Sequence, residues 1–188
     1  MASETRPASG RQKVGPAVFR SDDHGATWTH SSEGLTYGEG GPDVKTVWNV
    51  TSSGAGVLAG VEPAGLFSSG DGGQTWRHVE GLRAHPTLPE WMPGAGGLIL
   101  HSIIVDPADP ARQWVGISSV GVFGTEDGGR TWETRNRGVR ADFDPNPDPV
   151  FGQCVHKVLL AAGEHDVLYQ QNHCGVYRSE NGGRTWTE

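Results

Sequence analysis

Short apolar segments recur along the chain, separated by turns rich in glycine, proline and aspartate. Three sets of three such segments stand out, and the first segment of each set is KTVWNV (45–50), HSIIV (101–105) or HKVLL (156–160). Apolar segments of about four to eight residues bounded by turn signals are typical of β-strands. No stretch keeps a helical period over a useful length. The pattern therefore predicts an all-β chain.

An eight-residue phrase follows the third segment of each set and also occurs once near the start of the chain. It reads SDDHGATW, SGDGGQTW, TEDGGRTW and SENGGRTW, beginning at Ser21, Ser69, Thr125 and Ser179. The copies lie at intervals of about 50 residues, which fits one four-stranded propeller blade. We therefore assign strands A, B and C of each unit to the three apolar segments, and strand D to the residues from the Thr-Trp pair onward.

Each position of the phrase suits a tight turn between strands C and D. The hydroxyl and the carboxylate share hydrogen bonds with N–H groups of the turn, and glycine adopts positive φ without steric cost. Tryptophan supplies a large apolar surface for packing between blades. We predict a structural role for all four copies, at Ser21, Asp23, Gly25, Trp28, Ser69, Asp71, Gly73, Trp76, Thr125, Asp127, Gly129, Trp132, Ser179, Asn181, Gly183 and Trp186.

This phrase resembles the Asp-box, or bacterial neuraminidase repeat, which is found in sialidases, oligoxyloglucan-releasing glycosidases, sortilin-type receptors and a photosystem assembly factor. The segments HSIIVDPADP and GVFGTEDGGRTW are similar to those of bacterial glycosyl hydrolase Asp-box proteins. The resemblance implies a β-propeller whose boxes lie on the face opposite the ligand site. It does not imply one activity, because the same repeat serves enzymes, receptors and assembly factors.

Residues 15–188 are thus predicted to form a propeller section of about three and a half blades, since the first unit contains strands C and D only. We expect this section to belong to a larger propeller, or two copies to complete one ring. Open sheet edges also favour self-association. The polar residues 1–14 are expected to form a disordered lead-in.

The charge, the apolar runs and the cysteine count of the chain exclude several classes of function. The formal net charge of −7 and the pI of about 5.6 give no electrostatic footprint for nucleic acid. The apolar runs are too short to span a membrane, and the polar N-terminal sequence has no signal-peptide pattern, which leaves the cytoplasm as the default location. Two cysteines do not make a disulfide scaffold.

Two long loops between strands D and A, at 82–97 and 139–153, are the predicted location of a functional site. Hydrolysis of a glycosidic bond needs two carboxylates about 5–9.5 Å apart. The candidates are Asp142, Asp144 and Asp148 in the second loop and Glu62 between strands B and C, with Trp91 as a sugar-stacking platform. A turn-rich solvated loop is the competing interpretation of the aspartates.

Basic groups form a second set of candidates. Counting back from the boxes aligns Lys45, His101 and His156 at the start of strand A, on one rim of the central channel. Together with His173 they are predicted to bind an anionic group such as a sugar acid. Polar lining of a water-filled channel is the alternative.

A metal site is a further interpretation of five residues that the topology places on the same face of neighbouring blades. Imidazole and thiolate ligands suit zinc or copper. No close-spaced ligand pair of the CxxC or HExxH type is present, so we assign no metal ligand and no cofactor. The residues concerned are His101, Cys154, His156, His173 and Cys174.

These observations favour a carbohydrate-directed, sialidase-like propeller that hydrolyses glycosides with loop carboxylates. A true sialidase is disfavoured, because the Arg-Ile-Pro stretch of that family is absent and most arginines lie in or beside the boxes. The alternative is a propeller without catalytic chemistry, which binds or assembles partners as sortilin-like receptors and the photosystem assembly factor do.

Overall fold

The computed structural model describes residues 16–54, 56–142, 144–146 and 148–188. The predicted lead-in at 1–14 lies outside these residues. Helical structure in the described residues consists of one turn of α-helix, α1 (Glu80–Arg83), and a 3-10 turn at Leu88–Glu90. Neither has the length or the apolar character of a membrane-spanning helix.

Thirteen short strands form the rest of the regular structure in the part of the chain that the structure describes. In chain order they are β1 (Phe19–Arg20), β2 (Thr29–His30), β3 (Thr46–Ser52), β4 (Val57–Glu62), β5 (Gly65–Ser69), β6 (Arg77–His78), β7 (Leu100–Val105), β8 (Gln113–Ile117), β9 (Gly121–Thr125), β10 (Glu133–Thr134), β11 (Val155–Leu160), β12 (Leu168–Asn172) and β13 (Val176–Ser179).

The strands form four antiparallel sheets in which each strand pairs with the next one along the chain. The first sheet has two strands, the second and third have four, and the fourth has three. In the fourth sheet strand D is a single bridge, in which the N–H groups of Arg178 and Thr187 donate to each other's carbonyl oxygens at 2.8 and 2.9 Å. This order confirms the predicted fold of four-stranded antiparallel blades.

Neighbouring sheets pack face to face, with the inner strands β3, β7 and β11 next to one another. Leu66 of the second sheet and Phe123 of the third share one apolar cluster, and Trp114 of the third shares another with Tyr177 of the fourth. Both faces of the third sheet are therefore covered. This is why all the residues of β8 and β9 are buried and read as continuous rather than alternating apolar segments.

Strand A carries a β-bulge at the same place in each of the three larger sheets. The pairing with strand B skips one residue, which is Trp48 in β3, His101 in β7 and His156 in β11. Trp48, and not Lys45, is therefore the structural counterpart of the two histidines. The predicted alignment of Lys45 with them is wrong, because the turn between strands A and B is longer in the third sheet than in the second.

Each of the four copies of the Asp-box forms a turn, and all four turns have the same pattern of hydrogen bonds. In the second copy the hydroxyl of Ser69 donates to Asp71 Oδ1 at 2.7 Å and accepts the N–H of Gly73 at 2.8 Å. Both the N–H and the hydroxyl of Thr75 donate to the Asp71 carboxylate. The first and third copies repeat these contacts, and in the fourth Asn181 Oδ1 accepts the Thr185 N–H at 2.9 Å.

These hydrogen bonds stabilise the charged form of the box carboxylates. They lower the pKa of Asp23 from 3.8 to about 2, with the largest effect from the hydroxyl of Thr27 and a further one from its N–H. The pKa values of Asp71 and Asp127 are lowered in the same way. Three of the four box tryptophans are buried as predicted, whereas Trp28 is 62% exposed.

Candidate functional site

The turns of the sheets fall on two opposite faces. On one face the boxes contact the turns between strands A and B, as where the N–H of Gly128 donates to the carbonyl of Ala111 at 2.9 Å. On the other face the long loops between strands D and A contact the turns between strands B and C, as where Gly152 donates to the carbonyl of Val120 at 2.8 Å. We call the second one the loop face, and every predicted ligand or catalytic residue belongs to it.

A cleft of about 610 Å³ lies between the two long loops. We call it the loop cleft. It has carboxylates from both loops, Glu90 and Asp144, and the Ser119 turn between β8 and β9 lies beside them. Its apolar side chains include Met92 and Val150, which are 70% and 68% exposed. Carboxylates beside accessible apolar surface are features of a site that holds a sugar ring and acts on it.

Asp144 is the one predicted catalytic aspartate that lines the loop cleft. Its Oδ1 accepts the N–H of Asn146 at 2.8 Å, which orients the carboxylate in a local turn. Asp142 instead forms an ion pair with Arg140 at 2.9 Å. Asp148 is exposed, and its N–H donates to Asn146 Oδ1 at 3.2 Å.

Glu62 lies at the end of β4 and belongs to a different part of the loop face. Its Oε1 is 3.7 Å from the Nζ of Lys45, and its backbone carbonyl accepts the Lys45 N–H at 2.7 Å. The side chain borders Gly97 of the first long loop. The structure thus brings Glu62 together with Lys45, one predicted catalytic residue with one predicted ligand residue.

Trp91 is not an accessible stacking platform. It is only 6% exposed, packs against Phe123 with ring centroids 5.2 Å apart, and donates its indole N–H to the hydroxyl of Thr87 at 2.9 Å. Met92, the next residue, takes the accessible position at the loop cleft. The sequence gives no signal that distinguishes these two neighbours, because an irregular loop has no periodicity to orient its side chains.

His101 forms a bridge between the third and fourth sheets. Its Nε2 lies 2.9 Å from the carbonyl oxygen of Val155 and its Nδ1 lies 3.0 Å from the hydroxyl of Ser102. Because a carbonyl only accepts, Nε2 carries the proton and Nδ1 accepts from the hydroxyl. Burial lowers the pKa of His101, so the ring is neutral at pH 7. The predicted anion-binding role does not suit a neutral ring with both nitrogens engaged.

His156 and His173 lie together at the start of the fourth sheet, and Cys154 lies beside both. The Cys154 Sγ is 3.9 Å from Nε2 of His156 and 3.8 Å from Nε2 of His173. The two imidazole rings meet edge to face, with centroids 4.4 Å apart. Cys154 and Cys174 are both free thiols, and the Cys174 Sγ accepts the N–H of Asp142 at 3.4 Å.

Glu90 and Ser119 also line the loop cleft, and neither was among the site residues predicted from the sequence. Ser119 has φ of 64°, a left-handed conformation that is uncommon for a residue with a side chain. Its position in the tight turn between β8 and β9 is the one signal that marks it. Glu90 is marked only by its place in the first long loop.

Comparison with known proteins agrees with the repeated box geometry. The model of the BNR/Asp-box repeat matches residues 19–30. The chain is an Asp-box β-propeller protein. Its sequence is 36% identical over 148 residues to the oligoxyloglucan-reducing end-specific xyloglucanase of Emericella nidulans. This match covers 68% of the Asp-box chain and 17% of the enzyme, so the chain spans about a sixth of the length of that relative.

Solved structures support the propeller fold of this Asp-box chain. An ancestral GH74 enzyme superposes with a TM-score of 0.60 at 19% identity, over 89% of this chain and 20% of the enzyme. The GH74 enzyme of Niastella koreensis gives a TM-score of 0.57 at 17% identity, over 91% of this chain and 25% of the enzyme. At this level of identity the likeness concerns the fold alone.

Proposed function

We propose that this Asp-box propeller section is carbohydrate-directed and contributes a polysaccharide-cleaving site of glycoside hydrolase type. The observation that carries the proposal is the loop cleft, in which Glu90 and Asp144 reach one cavity from two successive long loops. Glycoside hydrolysis uses two such carboxyl groups, one to protonate the leaving oxygen and the other to act as nucleophile or base. The sequence relationship to a xyloglucanase supports a glucan as the substrate class.

Each lining group has a role in this proposal. Asp144, whose carboxylate is oriented by the Asn146 N–H, is the proposed nucleophile or base. Glu90, on the opposite loop, is the proposed general acid. Met92 and Val150 provide the accessible apolar surface on which the C–H face of a sugar ring packs.

Turnover on xyloglucan and on a panel of aryl glycosides tests the proposal, together with calorimetric binding of a xyloglucan oligosaccharide. We expect Asp144→Asn and Glu90→Gln each to reduce turnover by at least about 100-fold, the usual contribution of a general acid or base. Glu164→Gln is the matched control, because Glu164 is exposed in a turn between strands A and B on the opposite face. Circular dichroism confirms that each variant is folded.

A binding propeller without catalysis is the second candidate, and the exposed apolar surface of Met92 and Val150 favours it. Oligosaccharide binding without turnover, weakened by Met92→Asp, would support this candidate and contradict hydrolysis. Neither binding nor turnover in the folded protein would contradict the carbohydrate-directed proposal as a whole.

A further inference from the structure

Three metal-ligating side chains converge on the loop face of the fourth sheet, outside the loop cleft. One donor atom from each of Cys154, His156 and His173 lies within 4.8 Å of the other two. The sulfur is 3.9 and 3.8 Å from the two imidazole nitrogens. Cys154 is half-buried and the two histidines are exposed, so the three donors meet at an accessible point of the surface.

Strand pairing and hydrogen bonds to a buried side chain fix the backbone that carries these side chains. Cys154 and His156 flank Val155, which is 1% exposed and pairs with Asn172 of β12. His173 directly follows Asn172, in the turn between β12 and β13. The buried Asn172 side chain fixes this turn, because its Oδ1 accepts the N–H groups of Cys174 and Gly175 at 2.7 and 3.0 Å.

The bulge in strand A explains how Cys154 and His156, so close in sequence, both reach His173 in the turn after β12. Strand pairing skips His156, which lies between Val155 and Lys157. A bulge breaks the alternation of side chains and redirects one of them. His101 occupies the same bulge position in the third sheet but bonds to the Val155 carbonyl instead, so only the fourth sheet presents a bulge histidine to a thiol.

We propose that Cys154, His156 and His173 bind a divalent transition metal ion of the zinc class. Zinc bonds of about 2.3 Å to sulfur and 2.0–2.1 Å to nitrogen, at tetrahedral angles, place sulfur and nitrogen about 3.5 Å apart. The two sulfur-to-nitrogen distances in the cluster exceed this by a few tenths of an ångström, and all three donors lie within 4.8 Å of one another, so side-chain rotations can bring them onto one ion. Thiolate and imidazole select zinc, copper or cobalt over magnesium and calcium.

Three protein ligands leave a fourth tetrahedral position open. Zinc sites of this kind hold a water molecule or an exchangeable ligand at that position, whereas closed structural sites use four protein ligands. The site therefore presents a metal with an exchangeable ligand to solvent on the loop face. It is independent of the proposed hydrolysis in the loop cleft, because the two sites share no residue.

Cys174 and His101 are the natural controls. The sulfur of Cys174 accepts the Asp142 N–H, and both nitrogens of His101 are engaged by Val155 and Ser102. Neither belongs to the cluster whose donors converge. Cys174→Ser makes the same chemical change as Cys154→Ser but in the turn between β12 and β13, so it separates loss of a ligand from loss of a nearby thiol.

Titration of the reduced, metal-free chain with Co²⁺ and then Zn²⁺ tests the proposal. We expect one equivalent of Co²⁺ to bind with the absorption of a tetrahedral thiolate complex, and Zn²⁺ to displace it. Cys154→Ser should abolish the sulfur-to-cobalt band, and His156→Gln and His173→Gln should each weaken binding more than about ten-fold. Cys174→Ser should bind as the unchanged protein does.

A second measurement uses the unchanged protein and does not depend on variants that fold. Zn²⁺ should slow the alkylation of Cys154 by iodoacetamide and leave that of Cys174 unaffected, as followed by mass spectrometry of the two cysteine peptides. Equal rates for Cys154 with and without Zn²⁺ would overturn the proposal. A cobalt spectrum without a thiolate band, or one that survives Cys154→Ser, would overturn it as well.

Discussion

Trp76 donates its indole N–H to the backbone carbonyl of Ser31 at 2.8 Å and so ties the second sheet to the loop that follows β2. Trp186 makes the same bond to the carbonyl of Arg135 at 2.8 Å, across the boundary between the third and fourth sheets. In both cases the backbone N–H of the tryptophan also donates to the loop, at Glu33 or Arg137. In these two boxes the tryptophan is therefore a link between blades as well as part of a turn, whereas the indoles of Trp28 and Trp132 bond within their own boxes.

The first prediction concerns the stability contributed by this link. Trp76 is 3% exposed and Trp28, in the same position of the first box, is 62% exposed. We expect Trp76→Ala to lower the free energy of unfolding by about 3–5 kcal/mol, the cost of removing a buried aromatic side chain. Trp28→Ala should cost less than about 1 kcal/mol.

Urea denaturation followed by circular dichroism measures both values. Trp76→Phe keeps most of the apolar surface but loses the bond to Ser31, so it should fall between the unchanged protein and Trp76→Ala. Equal losses for Trp76→Ala and Trp28→Ala would contradict the view that the inter-blade contact, and not the box turn itself, accounts for the stability.

The sequence predicts the boxes and strands well because both depend on short-range signals. A hydroxyl, a carboxylate and a glycine at fixed spacing form the same turn wherever they occur, as the contacts of Asp71 and Asp127 demonstrate. Equivalence across repeats is harder, because it depends on the lengths of the intervening turns. That is why counting back from the box selected Lys45 and missed Trp48 as the counterpart of His101.

The candidate site depends on contacts that are distant in sequence, and the sequence predicted less of it. It placed the two long loops on one face with the turns between strands B and C, but it could not tell that Trp91 is buried against Phe123. From the sequence, the five histidines and cysteines considered as metal ligands could be grouped only by the face of the propeller on which they lie. Strand pairing of Val155 with Asn172 decides which of them meet, and brings Cys154 and His173 to within 3.8 Å.

The second prediction concerns acid stability. Hydrogen bonds from Thr75 and Ser69 hold the pKa of Asp71 below its ordinary value of 3.8. At pH 3 the unfolded chain therefore binds a proton at Asp71 that the folded chain does not. By linkage the stabilisation is fully present well above pH 4 and is lost as the pH falls below about 4.

Asp71→Asn removes this titration and keeps the oxygen acceptor, as Asn181 does naturally in the fourth box. Because the neutral amide cannot form the charge-assisted bonds of the Asp71 carboxylate, we expect the unfolding free energy of Asp71→Asn at pH 7 to be lower than that of the unchanged protein, and to decrease less steeply between pH 5 and pH 3. Asp71→Ala should be less stable than Asp71→Asn at every pH, since the N–H groups of Thr75 and Gln74 lose their acceptor. Parallel pH profiles for the unchanged protein and Asp71→Asn would contradict this prediction.

The third prediction concerns the close approach of backbones at the inter-blade link. Gly138 has φ of +89°, and a Cβ atom placed there would lie 2.4 Å from the carbonyl oxygen of Trp186. Gly163 has a similar φ of +79°, but its added Cβ would meet no atom within 4 Å. The two glycines therefore share the same backbone conformation and differ in the space around them.

We expect Gly163→Ala to cost about 1–2 kcal/mol, the penalty of a side chain in the left-handed region. Gly138→Ala has the same conformational cost. In addition, its Cβ atom must displace the Trp186 peptide, which breaks the hydrogen bonds from Trp186 to Arg135 and Arg137. Its unfolding free energy should therefore decrease by clearly more than that of Gly163→Ala. The tryptophan emission spectrum should shift to longer wavelength in Gly138→Ala but not in Gly163→Ala. Only the first substitution disturbs the contact that buries the Trp186 indole. An equal loss of stability in the two variants, with an unchanged tryptophan spectrum, would mean that the third and fourth sheets are held together mainly by the apolar cluster of Trp114 and Tyr177.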